Sequence, residues 1–170
     1  LLQRLLSSQI KTILTVFTIS FILFLIVFRS ISIAVIAVIP NILPSLVILG
    51  LMGWAGIPLD IMTITIAAIA IGIGIDNAIH YISRFKSELL LDGDYVSSMH
   101  RAHNSIGVSM FYTAATVAIG FLVLILSNFI PSIYFGIFMA IAMFSAVIVN
   151  LTLLPKLLII FKPRMNRKVL

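Results

Sequence analysis

The stretch IAIGIGIDNAIHYISRFK, Ile69 to Lys86, decides the fold. Its first seven residues are aliphatic or glycine, and its end turns polar and basic at Ser83, Arg84 and Lys86. Between the two ends stand Asp76, Asn77 and His80, three polar groups inside an apolar run. Runs of about 18 or more apolar residues read as membrane-spanning helices. The surrounding chain fits the same reading, since its 170 residues are 62% hydrophobic and only 9% charged. Soluble domains carry about a quarter charged residues. The sequence therefore predicts an all-α, polytopic membrane protein in which lipid solvates most of the apolar side chains.

Working outward from Ile69, the apolar runs predict five spans, at about Ile10 to Phe28, Ile31 to Leu51, Leu59 to Ser83, Ile106 to Leu126 and Ile133 to Phe161. The second span holds Pro40 and Pro44, which predict a kink. Gly53 to Pro58 and Ser127 to Ser132 read as turns. The long polar stretch Arg84 to Ser105 predicts a short cytoplasmic surface helix between the third and fourth spans. Leu1 in place of Met and the abrupt start predict a piece of a longer protein rather than a signal peptide. With no cysteine, disulfides and thiolate metal sites are excluded.

Charge sets the expected orientation. Five spans place Arg29, Arg84, Lys86, Arg101, Lys156, Lys162, Arg164, Arg167 and Lys168 on one side, and only Arg4 and Lys11 on the other. By the positive-inside rule the first side is cytoplasmic, giving an extracytoplasmic N-terminus and a cytoplasmic C-terminus in the cell membrane. The formal net charge of +6 is then explained by membrane topology, and no nucleic-acid partner is implied.

Asp76 follows Asp60 by sixteen residues, roughly 24 Å of helix, and precedes Arg84 by roughly 12 Å. It therefore lies within the hydrocarbon, where an ionisable residue is costly and marks a functional site by default. Gly72, Asp76 and His80 are four apart and share a face. Gly72 and Gly74 read as a small-residue groove for a neighbouring helix. Asp76 and His80, with Asn77 beside them, read as a proton path, and Tyr112, Thr113, Thr116, Ser145 and Asn150 as network partners. No Lys or Arg falls in the interior of any span, Lys11, Arg29 and Lys156 all lying near ends. Without a cation, burial disfavours the charged carboxylate, so Asp76 is expected to be protonated much of the time or paired with a group outside this sequence. The competing reading is a packing seam held by interhelical hydrogen bonds, with the threonine hydroxyls bonded to their own helix. His100 and His103 have no carboxylate or cysteine cluster to make a metal site, and read as parts of a solvated surface helix. Asp92, Gly93 and Asp94 read as a turn.

At these residues the sequence becomes familiar. GIPLDIMTITIAAIAIGIGIDNAIHYISRFK (Gly56 to Lys86) resembles the fourth transmembrane helix of the resistance-nodulation-division (RND) superfamily, with its Gly-x-x-x-Asp motif at Gly72 and Asp76. VIPNILPSLVILGLMGWAGIPLD (Val38 to Asp60) resembles the third helix and the following turn. RAHNSIGVSMFYTAATVAIGFLVLILSNFIPSIYFG (Arg101 to Gly136) resembles the fifth helix and the turn to the sixth, and LTLLPKLL (Leu151 to Leu158) the end of the sixth. The Asp-Asn-x-x-His version is closest to the MMPL and Patched-like branches, which share the five-helix sterol-sensing unit. Asn77 stands where many MMPL-type members carry tyrosine, so a relay tyrosine cannot be carried over to it.

The resemblance implies helices two to six of one half of a proton-driven exporter of lipids or other hydrophobic molecules. It implies as partners protons, membrane lipids, a hydrophobic substrate, and a porter domain and second half (or an oligomer) not in this sequence. The alternative it leaves is a sterol- or lipid-sensing binding domain that does not pump. No cofactor is implied. The sequence holds no nucleotide-binding loop, catalytic triad or metal cluster that would suggest an enzyme.

Overall fold

The computed structural model describes residues 2–57 and 61–163, with side chains over 10–57 and 65–163. Asp60, the expected turn at Pro58 and the basic residues from Arg164 onward lie outside that range, as does the side chain of Arg4. Six α-helices follow in order: α1 (Leu2–Phe28), α2 (Ile31–Trp54), α3 (Ile61–Asp92), α4 (Tyr95–Ala102), α5 (Val108–Leu122) and α6 (Ile130–Phe161). A π-helical turn (His103–Gly107) joins α4 to α5, and a 3₁₀ turn (Val123–Leu126) ends α5. No strand occurs among the described residues. Among the described residues five stretches are long and apolar enough to cross a membrane, the fourth running through α4, the π turn, α5 and the 3₁₀ turn as one. The protein is a multi-pass helical membrane protein.

Local chemistry sets the helix boundaries. α1 and α2 are joined by Arg29 and Ser30, and Ser30 caps α2 by accepting from the Ile33 N–H at 3.5 Å. α2 continues through Pro40 and Pro44 to Trp54. Asn41 donates through Nδ2 to Ala37 O at 3.0 Å, adding a side-chain donor in the turn that the prolines disturb. α3 runs on to Asp92, past the expected end of the third span at Ser83. Gly93, at φ 73°, then reverses the chain, and Asp94 caps α4. The stretch Arg84 to Ser105 is thus mostly helical, with its turn at Gly93.

α2, α3 and α6 form the centre, α1 leans on α2 and α3, and α5 packs along α6. Lipid supplies no hydrophobic drive for helix association, so small residues that allow close approach do much of the work. Ala67, Ala70, Gly74 and Ala78 line the buried face of α3, and Ala140, Ala142 and Ala146 that of α6. At Gly136 a Cβ would sit 2.5 Å from Phe121 O and 3.0 Å from Leu124 Cβ, so α6 and the end of α5 touch almost backbone to backbone. At one end of the bundle α4 doubles back on α3 through charge. Arg101 Nε donates to Glu88 Oε2 at 2.6 Å, its other nitrogens reach Asp92 at 2.9 and 3.1 Å, and Arg84 meets Glu88 at 2.6 Å. Glu88 is buried, and the two guanidiniums neutralise it.

Candidate functional site: two polar faces of α3

Helix α3 presents two different polar surfaces. The outward one carries Gly72, Asp76 and His80 in a stripe. His80 Nε2 lies 3.4 Å from Asp76 Oδ1, and the two side chains are 60% and 71% exposed. The four-residue spacing places the imidazole directly over the carboxylate one turn away. Among the described residues His80 is the only ion-pair partner of Asp76.

This geometry revises several sequence expectations. The stripe is not buried in the five-helix unit: a Cβ at Gly72 would meet nothing within 4 Å, so Gly72 opens a surface instead of receiving a helix of this chain. Gly74, expected on the same groove, belongs to the inner face and packs against Asn41. Tyr112, Thr113 and Thr116 are exposed on α5 and do not reach Asp76. Thr113 donates to Ser109 O at 3.0 Å and Thr116 to Tyr112 O at 2.9 Å, the back-bonding that leaves a hydroxyl committed to its own helix. Ser145 likewise donates to Ala142 O at 2.9 Å. Asn77 is buried, on the flank between the two faces.

The inner face is a polar seam. Asn150 of α6, fully buried, donates to Ala146 O at 2.9 Å and to Gly74 O at 3.4 Å. Asn41 of α2, also buried, closes on Gly74 so tightly that a Cβ there would collide with its Oδ1. Gly74 is therefore where α2, α3 and α6 meet: Asn150 bonds its carbonyl, and a Cβ there would force the Asn41 amide to move. Ser45, one turn beyond Asn41, extends the seam and is buried too.

Towards the basic end the seam gives way to a clamp centred on His103. Its Nε2 lies 2.8 Å from Leu151 O of α6, and its Nδ1 2.8 Å from the Tyr81 hydroxyl of α3 and 3.1 Å from Met99 O. The Leu151 and Met99 carbonyls, one at each ring nitrogen, can only accept; with the ring proton on Nε2 towards Leu151, the Tyr81 hydroxyl donates to Nδ1. Tyr81 is fully buried, and its ring meets the imidazole edge-on at 5.4 Å. The expectation of a solvated His103 is thus overturned, because the π turn that starts at this residue carries the ring between α3 and α6. His100 remains exposed. Among the described residues no cluster of three or more His, Cys, Asp or Glu is placed to hold a metal.

The sequence reading passed over Asn41 and Tyr81 and placed His103 on a solvated helix. For Asn41 a signal existed: it is a polar side chain between two prolines within a span. For His103 none did, because a π turn starts at that residue and sets the register between α4 and α5.

Comparison with known proteins places this arrangement. The sequence profile of the MMPL family matches residues 3–168. A membrane protein of Methanocaldococcus jannaschii is 33% identical over 111 residues, covering 65% of this chain and 29% of the relative. Hopanoid transporter HpnN of Burkholderia multivorans is 28% identical over 110 residues, covering 62% of this chain and 12% of the relative. The chain therefore spans less than a third of either relative it matches.

Proposed function

Because the chain belongs to the MMPL family, of the RND type, we propose that it is the membrane domain of a proton-motive-force-driven exporter of lipids or other hydrophobic molecules, with Asp76 as its proton site. The observation that carries this reading is the Asp76–His80 pair on an open face of α3. A carboxylate at hydrocarbon depth is not left facing acyl chains; such groups face a bundle interior or a water-filled cavity. The stripe is thus the surface against which a second transmembrane half, or a second copy, closes a polar path, and Gly72 gives that neighbour room. The relative from Burkholderia carries the printed name of a hopanoid transporter, which supports a lipid-like substrate.

In this mechanism Asp76 takes up a proton from the extracytoplasmic side and releases it to the basic, cytoplasmic side by way of His80. One elementary charge crossing the membrane is worth about 2.3 kcal/mol per 100 mV. Loss or gain of that charge changes how α3 seats against the neighbour, and the motion drives a porter domain outside this chain. Asn77 takes no relay role here, since its amide does not titrate at physiological pH.

The test is Asp76→Asn in the intact protein, with gradient-driven efflux of a fluorescent lipid as the readout. Among the described residues Asp76 pairs only with an exposed histidine, so the variant is expected to fold normally and to lose transport. Export at the parental rate sinks the proposal. Lipid binding that needs no gradient and ignores the substitution would instead favour a lipid-sensing five-helix unit.

A further inference from the structure

A groove of about 330 Å³ runs along the first turns of α2, lined by Ile31, Ser32, Val35, Ile36 and Ile39 and closed by Phe161, the last residue of α6. It is apolar apart from the exposed Ser32, whose hydroxyl has no hydrogen bond among the described residues. Ile31 to Ile39 covers about 12 Å of helix axis, close to half of a hydrocarbon core about 30 Å thick. A transmembrane helix packed here would need a groove running the full core. This one starts at the basic end and stops near mid-bilayer, the reach of a lipid chain from a single leaflet.

The mouth is cationic, and in an unusual way. α1 and α6 both end there, and the residue after each, Arg29 and Lys162, adopts a left-handed conformation at φ 47° and 40°. Glycine, or at most asparagine, is the usual occupant of that position, because a Cβ there crowds the backbone. Both helix ends bordering the groove thus accept a steric cost and carry a basic side chain. The Lys162 ammonium lies 6.0 Å from the centre of the Tyr95 ring. Arg29 is exposed, and no hydrogen bond or ion pair within the described residues engages its guanidinium. By contrast Arg84 and Arg101, at the same end, are held by Glu88 and Asp92.

We infer that this groove is a binding site for an anionic phospholipid of the leaflet at the basic end. One acyl chain lies along Ile31, Val35, Ile39 and Phe161, and the headgroup phosphate is held by Arg29 with Ser32 beneath it. The guanidinium fork matches two phosphate oxygens, and the hydroxyl can donate to a third. The site lies on α2 and α6, away from Asp76, and does not depend on transport.

The experiment uses the intact protein, delipidated in a neutral detergent and titrated with palmitoyl-oleoyl phosphatidylglycerol or the matching phosphatidylcholine, with bound lipid counted by native mass spectrometry. A preference for phosphatidylglycerol of about fivefold is expected, the size of one basic residue's contribution at a membrane surface. Arg29→Gly should abolish the preference while leaving the melting temperature in lipid-free detergent unchanged or higher, since glycine suits φ 47°. Val35→Trp, which fills the groove from an exposed position, should reduce retention of both lipids. Equal retention of the two lipids by the parent, a preference that survives Arg29→Gly, or retention unmoved by Val35→Trp would each overturn the site. A photo-crosslinker at Val35 should label lipid; an adduct to another protein segment would mean that a helix fills the groove and would overturn it as well.

Discussion

Removing the His103 ring is the most direct test of how the unit is held together. In His103→Leu the Tyr81 hydroxyl loses the acceptor it meets at 2.8 Å, and Leu151 O loses a donor at 2.8 Å. Each such bond is worth about 1 kcal/mol net, and a buried hydroxyl stranded without a partner costs about 1–3 kcal/mol. Measured hydrogen bonds between membrane helices average about 0.6 kcal/mol, which argues for the lower part of these ranges. The expected loss is therefore about 2 kcal/mol. Tyr81→Phe removes only one of the two bonds and strands no donor, so it should cost about 1 kcal/mol. Because the two residues share a bond, the double variant should lose less than the sum, with a coupling of about 1 kcal/mol. Reversible unfolding in mixed micelles, followed by circular dichroism, reads all three. Additive losses would refute the inferred bond between Tyr81 and His103. A His103→Leu stability within about 0.5 kcal/mol of the parent would refute the clamp altogether, because surface substitutions away from such features fall in that range.

Two further outcomes follow from the packing and from one cap. Gly136→Ala forces a methyl against Phe121 O at 2.5 Å, a backbone atom that cannot rotate away; overpacking of this kind costs about 1–3 kcal/mol, and the same micelle unfolding assay checks it. The Asp94 carboxyl is held below the usual aspartate range by the Ser97 hydroxyl, then by the N–H groups of Ser97 and Val96. A carboxyl with a lowered folded-state value adds stability that is complete above its unfolded value and is lost as the pH falls through the folded one. Amide exchange in α4 should therefore quicken on acidification below the ordinary aspartate range, and Asp94→Asn, which still caps, should reduce that dependence to the part carried by Asp92 and its Arg101 contact; identical pH profiles would refute the cap.

The five spans were legible because lipid makes long apolar runs unambiguous, and the turn at Gly93 because glycine flanked by aspartates favours it. The direction each face points was not. Gly72 and Gly74 are two residues apart and lie on different sides of α3; sequence shows that both are small, not which one meets a helix of this chain. In a soluble protein hydrophobic patterning would separate the two sides, but lipid and helix neighbours are equally apolar here, so the outward face of α3 reads like the inward one. The same degeneracy hid His103, whose polar neighbours in sequence, Arg101 and Asn104, suggest solvent. The π turn inserts extra backbone and changes the face on which that ring emerges.

The division of α3 into two faces bears on how a charge at Asp76 can do work without unfolding its surroundings. The inward face is held by contacts that do not titrate: Asn150 and Asn41 on Gly74, and the alanines above and below. Towards the basic end Tyr81 and His103 tie α3 to α6, and Arg101 ties it to α4 through Glu88 and Asp92. Asp76 touches none of these. In the proposed mechanism a change in its charge therefore leaves the five-helix unit intact and acts on what lies against the open stripe, moving the unit as a body relative to its neighbour. Had Asp76 pointed inward, the free energy of each protonation would have been spent loosening α2 and α6 from α3. In the proposed mechanism, placing Asp76 on the outer face, and amides on the inner one, separates the group that takes up the proton from the groups that keep the helices together.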